Sequence, residues 1–271
     1  MILIVGSTKD PASVNIGRCL LELYDFKRLP ETFQGNPVYS ISIGEKEVRY
    51  VRFNVEPIYT QNLTDFFSPE LVIFISRHSS KSGLPTLTVH TPGNLGEAEF
   101  GGLPREVSIS PAGPMKRALK ELHLMEDELD LGYQVSYEGT HHGPSLKVPT
   151  MFVELGSSPP QWNDKRAAMV VARSAMAALN GEITCKVALG VGGAHYNMKF
   201  TKLALETDIA FGHMIPKYAV PLLNKEILRQ CIERTWEKVE LVLLDWKGIK
   251  GSYKSSVANL VEELGLAWEK V

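Results

Sequence analysis

Seven histidines stand at positions 78, 90, 123, 141, 142, 195 and 213 of this chain. Six of them follow apolar, strand-like segments or sit in glycine-rich connections, where an α/β sheet gathers its chemistry. His123 alone falls inside a helical pattern and is expected on the surface. The densest group is Glu138-Gly139-Thr140-His141-His142-Gly143-Pro144. One carboxylate and two imidazoles offer a general base and two metal ligands, the ingredients of metal-assisted hydrolysis. Adjacent histidines on a regular strand point to opposite faces, so both serve one site only if the backbone bends. Gly139, Gly143 and Pro144 supply that bend; a polar turn with solvated histidines is the plainer alternative.

Two further groups can join it. Ser76-Arg77-His78-Ser79-Ser80-Lys81 leaves one apolar run, and His90-Thr91-Pro92-Gly93-Asn94 ends the next. Neutral imidazoles brought together this way suit zinc, which takes nitrogen at ~2.0–2.1 Å. Glu154 interrupts the apolar run Met151 to Leu155. A buried carboxylate costs several kcal/mol unless paired. It reads as a zinc ligand or as a carboxylate orienting a ligating histidine, with a simple ion pair as the alternative. Gly190-Val191-Gly192-Gly193-Ala194-His195-Tyr196 has the glycines that let backbone N–H groups approach an oxyanion. It lacks the spacing of a dinucleotide fold and the ending of a P-loop. His195 and Tyr196, followed by Lys199 and Lys202, read as a substrate-binding loop; His213 either joins them or is structural. No G-x-S-x-G elbow occurs, which favours activated water over a serine nucleophile.

Strands and helices must position these residues. Ile2 to Val5, Leu71 to Ile75, Met151 to Leu155, Val187 to Leu189 and Val239 to Leu244 read as buried strands. Leu84 to Val89 and Tyr133 to Tyr137 are further strands, and Tyr39 to Ile43 with Val48 to Phe53 a hairpin. Helical stripes run through Met115 to Leu122, Ile227 to Thr235 and Val257 to Leu264. Ser158, Pro159 and Gln161 mark the start of another, carried through Trp162, Met169, Ala172, Met176 and Leu179 to a stop at Asn180-Gly181. Alternation of the two predicts a three-layer α/β/α arrangement around a mixed central sheet, with residues 1–271 as a single domain.

Composition excludes several classes. With 44% apolar and 22% charged residues the chain is not disordered over long stretches. A net charge of −2 gives no general signal of nucleic-acid binding, though a local basic patch is compatible with it. Cys19, Cys185 and Cys231 form no C-x-x-C pair, so they are expected as free thiols of a cytoplasmic protein. No segment has the length for a signal peptide or a membrane span, and no obligate protein partner is evident.

The groups at 76–80, 90–94 and 138–144, together with Glu154-Leu155-Gly156-Ser157-Ser158, Gly190 to Tyr196 and Asp245-Trp246-Lys247-Gly248, resemble the archaeal and plant-type D-aminoacyl-tRNA deacylases in order along the chain, from Met1 to about Gly251. That resemblance implies a phosphorylase/hydrolase-like fold similar to peptidyl-tRNA hydrolases and zinc exopeptidases. It implies hydrolysis of the ester between a D-amino acid and the tRNA terminal ribose, with up to two zinc ions per chain. The individual roles follow from residue chemistry. His78, His90, His141, His142 and Glu154 are the expected metal ligands; Glu138, His142 and His195 the catalytic groups. Gly192 and Gly193 would stabilise the oxyanion, and Lys81, Lys147, Lys199 and Lys202 would contact phosphates of the acceptor end. A zinc aminopeptidase or amidohydrolase, and a non-catalytic tRNA-binding protein, are the rival readings.

Overall fold

The computed structural model describes residues 1–181 and 184–271. The chain begins β1 (Ile2–Ser7), α1 (Pro11–Leu23), β2 (Lys27–Phe33), β3 (Asn36–Ile43), β4 (Lys46–Phe53) and a short α2 (Leu63–Phe66). It continues through β5 (Leu71–Arg77), β6 (Thr86–His90), α3 (Ala112–Leu129), β7 (Gln134–Tyr137), β8 (Thr150–Gly156), α4 (Pro159–Trp162) and α5 (Lys165–Ala177). The last part holds β9 (Lys186–Val191), α6 (Met198–Glu206), β10 (Ile209–Ile215), α7 (Lys225–Glu233), β11 (Leu241–Leu244), α8 (Gly251–Glu263) and β12 (Ala267–Lys270).

Eight strands form a mixed central sheet in the order β2-β3-β4-β1-β5-β8-β6-β7. β4, β1, β5 and β8 run parallel, whereas β6 and β7 run parallel to each other and opposite to β8. Side chains alternate between faces along each strand. Ile2, Ile4, Ile73, Ile75, Leu87, Val89, Val153 and Leu155 share a buried cluster with residues of α1, α3 and α5. Leu3, Val5, Val72, Phe74 and Phe152 face the other way, under Leu63 of α2 and Leu146. The expected α/β class with a mixed sheet flanked by helices is therefore the observed one.

The sequence reading had no second sheet. β10-β9-β11-β12, all parallel, form one. Val187, Leu189 and Val191 pack with Ile227 and Leu228 of α7 and Val257 and Val261 of α8, while Ala188 and Phe211 belong to the cluster that includes α3. Lys116 of α3, 1% exposed, donates to the carbonyls of Thr207 and Ile209 at 2.7 and 2.8 Å. Those two hydrogen bonds tie α3 to the start of β10 without leaving the ammonium unpaired.

One expectation is corrected. The helix read as continuous from Trp162 to Leu179 is two helices, because the Asp164 carboxylate accepts from the backbone of Arg166 and Ala167 and starts α5 afresh. Ser158 stands at the head of α4, but its hydroxyl bonds the Gln161 side chain and caps no backbone N–H.

His213, in β10, is fully buried. Its Nε2–H donates to the carbonyls of Ser108 and Arg234, both at 3.1 Å, and Nδ1 accepts from Thr140 at 3.1 Å. Burial, with the Arg234 charge nearby, lowers its pKa from 6.5 to about 4. The folded ring stays neutral while an unfolded one takes a proton below 6.5. The linkage is thus silent above pH 6.5 and removes stability as pH falls toward 4. His213→Gln should flatten that fall. Urea midpoints of the two proteins, measured from pH 7.5 to 4.5, should differ in their pH dependence by about 2 to 3 kcal/mol at the acid end.

Candidate active site

A matter of parity puts the chemistry on one face. Ser76 pairs with Glu154 and Glu154 with Thr88, while His90 pairs with Phe152. Since i and i+2 share a face, Ser76, His78, Glu154, Thr88 and His90 all lie on the side away from α1, α3 and α5. Glu138 follows Tyr137, whose partner Val89 points into the helix-covered core, so Glu138 takes the same side as His90. The site therefore lies on the sheet face. It does not occupy the crevice at the ends of parallel strands, because β6 and β5 arrive from opposite directions. Gly156 makes room: a Cβ there would stand 2.8 Å from Cβ of His78 and 2.6 Å from Thr86 Oγ1.

The connection after β7 brings two more rings. His142 has φ 43°, so the expected bend falls on the histidine itself, with Gly143 and Pro144 following. That left-handed turn sets the His141 and His142 ring centroids 4.2 Å apart and gives both a place beside His90, at 4.5 and 4.9 Å. Their Nδ1–H groups donate to the carbonyls of Gly139 and Gly143 at 2.9 and 2.7 Å, which leaves each Nε2 with a free lone pair. His195 and Tyr196 come from the second sheet, in the loop after β9. A single antiparallel bridge between Glu138 and Tyr196 stitches this loop to the first sheet.

Glu138 is the hub. Fully buried, it has His195 Nε2 at 2.9 Å, His78 Nδ1 at 3.1 Å and His141 Nε2 at 3.5 Å. Glu154 Oε2 lies 3.4 Å from His78 Nδ1 and 4.0 Å from His90 Nδ1, and its other oxygen accepts from Ser76 at 2.7 Å. His78 Nε2 meets the Tyr196 hydroxyl at 2.6 Å, and His195 Nδ1 the Tyr218 hydroxyl at 3.3 Å.

Burial opposes charge on every group here, and the neighbours decide the outcome. Burial leads in pulling His90 and His141 well below the ordinary imidazole range and His142 to about 4. It also works against a proton on His78, yet Glu138 and Glu154 hold that ring well above its usual range. Burial, aided by the Glu138 charge, lifts Glu154 to about 7. For Glu138, His78 and His195 outweigh burial and hold the carboxyl well below the usual carboxylate range.

Three sets of donors each cluster within 4.8 Å: His90, His141 and His142; His78, Glu138 and His195; His90, Glu138 and Glu154. These residues fit a divalent metal by their own unmet demands. No aligned hydrogen bond reaches either oxygen of Glu138 or Nδ1 of His90. The Nε2 atoms of His90 and His142 face each other at 3.2 Å, where two lone pairs repel unless a proton or cation lies between. Nitrogen and carboxylate donors of this kind suit zinc.

The expected phosphate contacts fare differently. Lys81, Lys147 and Lys202 are exposed. Lys199 is drawn away, its ammonium held by Asp245 at 2.6 Å and the Val271 carbonyl at 3.0 Å. Gly192 is corrected: its N–H donates to the Ile215 carbonyl at 2.8 Å and cannot serve an oxyanion. Gly193 is buried against Asn197 and Asp245, where a Cβ would come within 2.7 Å. Both adopt positive φ, 103° and 80°, and are closely packed. Tyr218 and Ser76 touch the site without having been expected to, and Tyr196, expected in a substrate-binding loop, meets His78 there. Two cavities, of about 480 and 520 Å³, flank the His141-His142 pair and share the exposed Phe100.

A family model described as D-aminoacyl-tRNA deacylase matches residues 65–269. The D-aminoacyl-tRNA deacylase of Thermococcus kodakarensis is 44% identical, with 97% of each chain covered. That of Pyrococcus furiosus is 41% identical over 98% of this chain and 99% of its own, and that of Methanosarcina barkeri 34% over 98% and 88%. A crystal structure of a conserved protein of unknown function superposes with a TM-score of 0.87 at 32% identity, covering all of this chain and 95% of its own. The chain belongs to the D-aminoacyl-tRNA deacylase family of hydrolases.

Proposed function

We propose that this protein hydrolyses the ester between a D-amino acid and the terminal ribose of tRNA, releasing both, with zinc held by its own histidines and carboxylates. The observation that carries the reading is the convergence of five imidazoles and two buried carboxylates on one sheet face, in a chain of this family. The cavities on either side of His141-His142 suit a substrate whose scissile bond joins two bulky parts, an aminoacyl group and a nucleotide. Because residues of both sheets make up the site, residues 1–271 act as one unit. Three free thiols, and no helix among the described residues long and apolar enough to cross a membrane, are compatible with work in the cytoplasm, where aminoacyl-tRNA is used.

His90, His141 and His142 would hold one ion, and Glu138 with Glu154 would complete a second beside His90. Zinc held there would lower the pKa of water toward ~7 and polarise the ester carbonyl. Glu138 takes the proton that the attacking water loses and passes it across 2.9 Å to His195. His195, partly exposed and hydrogen-bonded to Tyr218, returns it to the ribose oxygen as the ester C–O bond breaks. His78, its charge held by Glu138 at 3.1 Å, donates through Nε2 to the Tyr196 oxygen. The Tyr196 O–H is then free to donate to the carbonyl oxygen as charge develops, the task first given to the glycine loop.

Matched D- and L-aminoacyl-tRNA, incubated with and without a chelator, should give amino acid release from the D form only, lost on chelation and restored by zinc. Equal cleavage of both, or full activity in metal-free protein, would overturn the corresponding part. His142→Asn tolerates the left-handed backbone where alanine would be strained. It should lower kcat by more than about a hundredfold with an unchanged circular dichroism spectrum, and lower the zinc content measured by mass spectrometry. Tyr196→Phe should reduce kcat about a hundredfold while KM moves little. A rise in KM alone would remove tyrosine from the transition state.

A further inference from the structure

We infer that the rim formed by Trp246, Lys254, Trp268 and Lys270 is the surface on which the phosphate backbone of the tRNA acceptor arm docks. This assignment rests on the hydrolase reading above and adds to it the place where the RNA lies.

The argument begins with the register of the second sheet. Val191 of β9 pairs with Leu244 of β11, and Leu244 with Lys270 of β12. All three strands are parallel, so their carboxyl ends lie level along one edge. His195 leaves that edge after β9, Trp246 after β11, and Lys270 ends β12. At about 4.8 Å per strand, β12 is about 10 Å from β9. The rim thus continues outward from the loop that delivers His195 and Tyr196 to Glu138.

The side chains on it are ordered for an anion. The indoles of Trp246 and Trp268 are stacked, 5.9 Å between centroids and 8° from parallel. Lys270 Nζ lies 4.1 Å from the Trp246 ring centre and 5.8 Å from that of Trp268, and Lys254 Nζ lies 4.9 Å from Trp246. An ammonium held over an aromatic face keeps its charge without a carboxylate to neutralise it. Among the described residues neither Lys254 nor Lys270 is in an ion pair, whereas nearby Lys199 is held by Asp245. Exposed Lys247 and Lys250 extend the positive strip. The acids beside it are Asp245, paired with Lys199, Glu269, and Glu262, which accepts from Trp268 Nε1 at 3.0 Å. In a chain of net charge −2, a local strip of this sign next to the catalytic loop complements the most highly charged part of the substrate. Lysines already fixed on indole faces lose little freedom on meeting phosphate.

The test compares wild type, Lys254→Gln/Lys270→Gln and Lys254→Arg/Lys270→Arg on D-aminoacyl-tRNA and on a D-aminoacyl ester of adenosine, across a series of KCl concentrations. Binding of uncharged tRNA is measured in parallel. The glutamine pair should raise KM for the tRNA ester and Kd for uncharged tRNA about tenfold, and lower the slope of log Kd against log salt by about 1 to 2. Its hydrolysis of the adenosine ester should be unchanged, and the arginine pair should restore tRNA binding. Unchanged Kd and salt slope in the glutamine pair would overturn the rim assignment, as would equal losses on both esters. Failure of wild type to cleave either ester would sink the hydrolase reading alone, since the binding arm still reads the rim.

Discussion

A carboxylate with no exposed surface must be matched by donors or cations, and Glu138 has imidazoles within 3.5 Å from three segments of the chain. His78 comes from the end of β5, His141 from the connection that Glu138 itself begins, and His195 from a different sheet. Glu138 is the one group that all three rings approach. Remove the buried charge and His78 loses what keeps it protonated, while His195 loses its nearest partner. Several kcal/mol of desolvation stand behind that requirement, enough to dictate how three separate segments fold against one another.

Much of this was legible in the residues, and the reason is periodicity. Strand residues 76 and 78, 88 and 90, and 154 share a parity, and polar types there beside apolar 75, 87, 89, 153 and 155 imply one polar patch on a sheet face. The convergence of His78, His90 and Glu154 could be read that way, and the glycines and proline around His141 and His142 marked the bend that adds those two. The direction of β6 could not. Whether the strand after a turn runs with or against its neighbour depends on which strand it pairs with, and β6 pairs with β8, chosen about 60 residues later in the chain. That pairing decided that the site lies on the sheet face.

Other misreadings share a cause: a side chain's partner outranks its type. Lys199 has the charge to meet a phosphate, but Asp245, brought beside it by β11, claims it first. Gly192 has a backbone N–H free to move in sequence terms, yet β10 takes it for a ladder-like bond to Ile215. Both β10 and β12 were absent from the sequence reading. β10 has Gly212 and His213 interrupting its apolar run, and β12 is a four-residue edge strand with two charged side chains. Tyr196 was placed in a substrate-binding loop, but its particular task was hidden, because a lone hydroxyl acquires one only beside the imidazole it bonds.

The bridge between Glu138 and Tyr196 has a consequence for the order in which the molecule comes into being. A nascent chain exposes both carboxylates and four of the imidazoles well before residues 195 and 196 leave the ribosome. Until β9 folds, Glu138 lacks its nearest counter-ring and His78 lacks the phenol that completes its second hydrogen bond. The two carboxylates and the imidazoles that precede β9 thus have their full set of partners only once the last quarter of the polypeptide has folded against them.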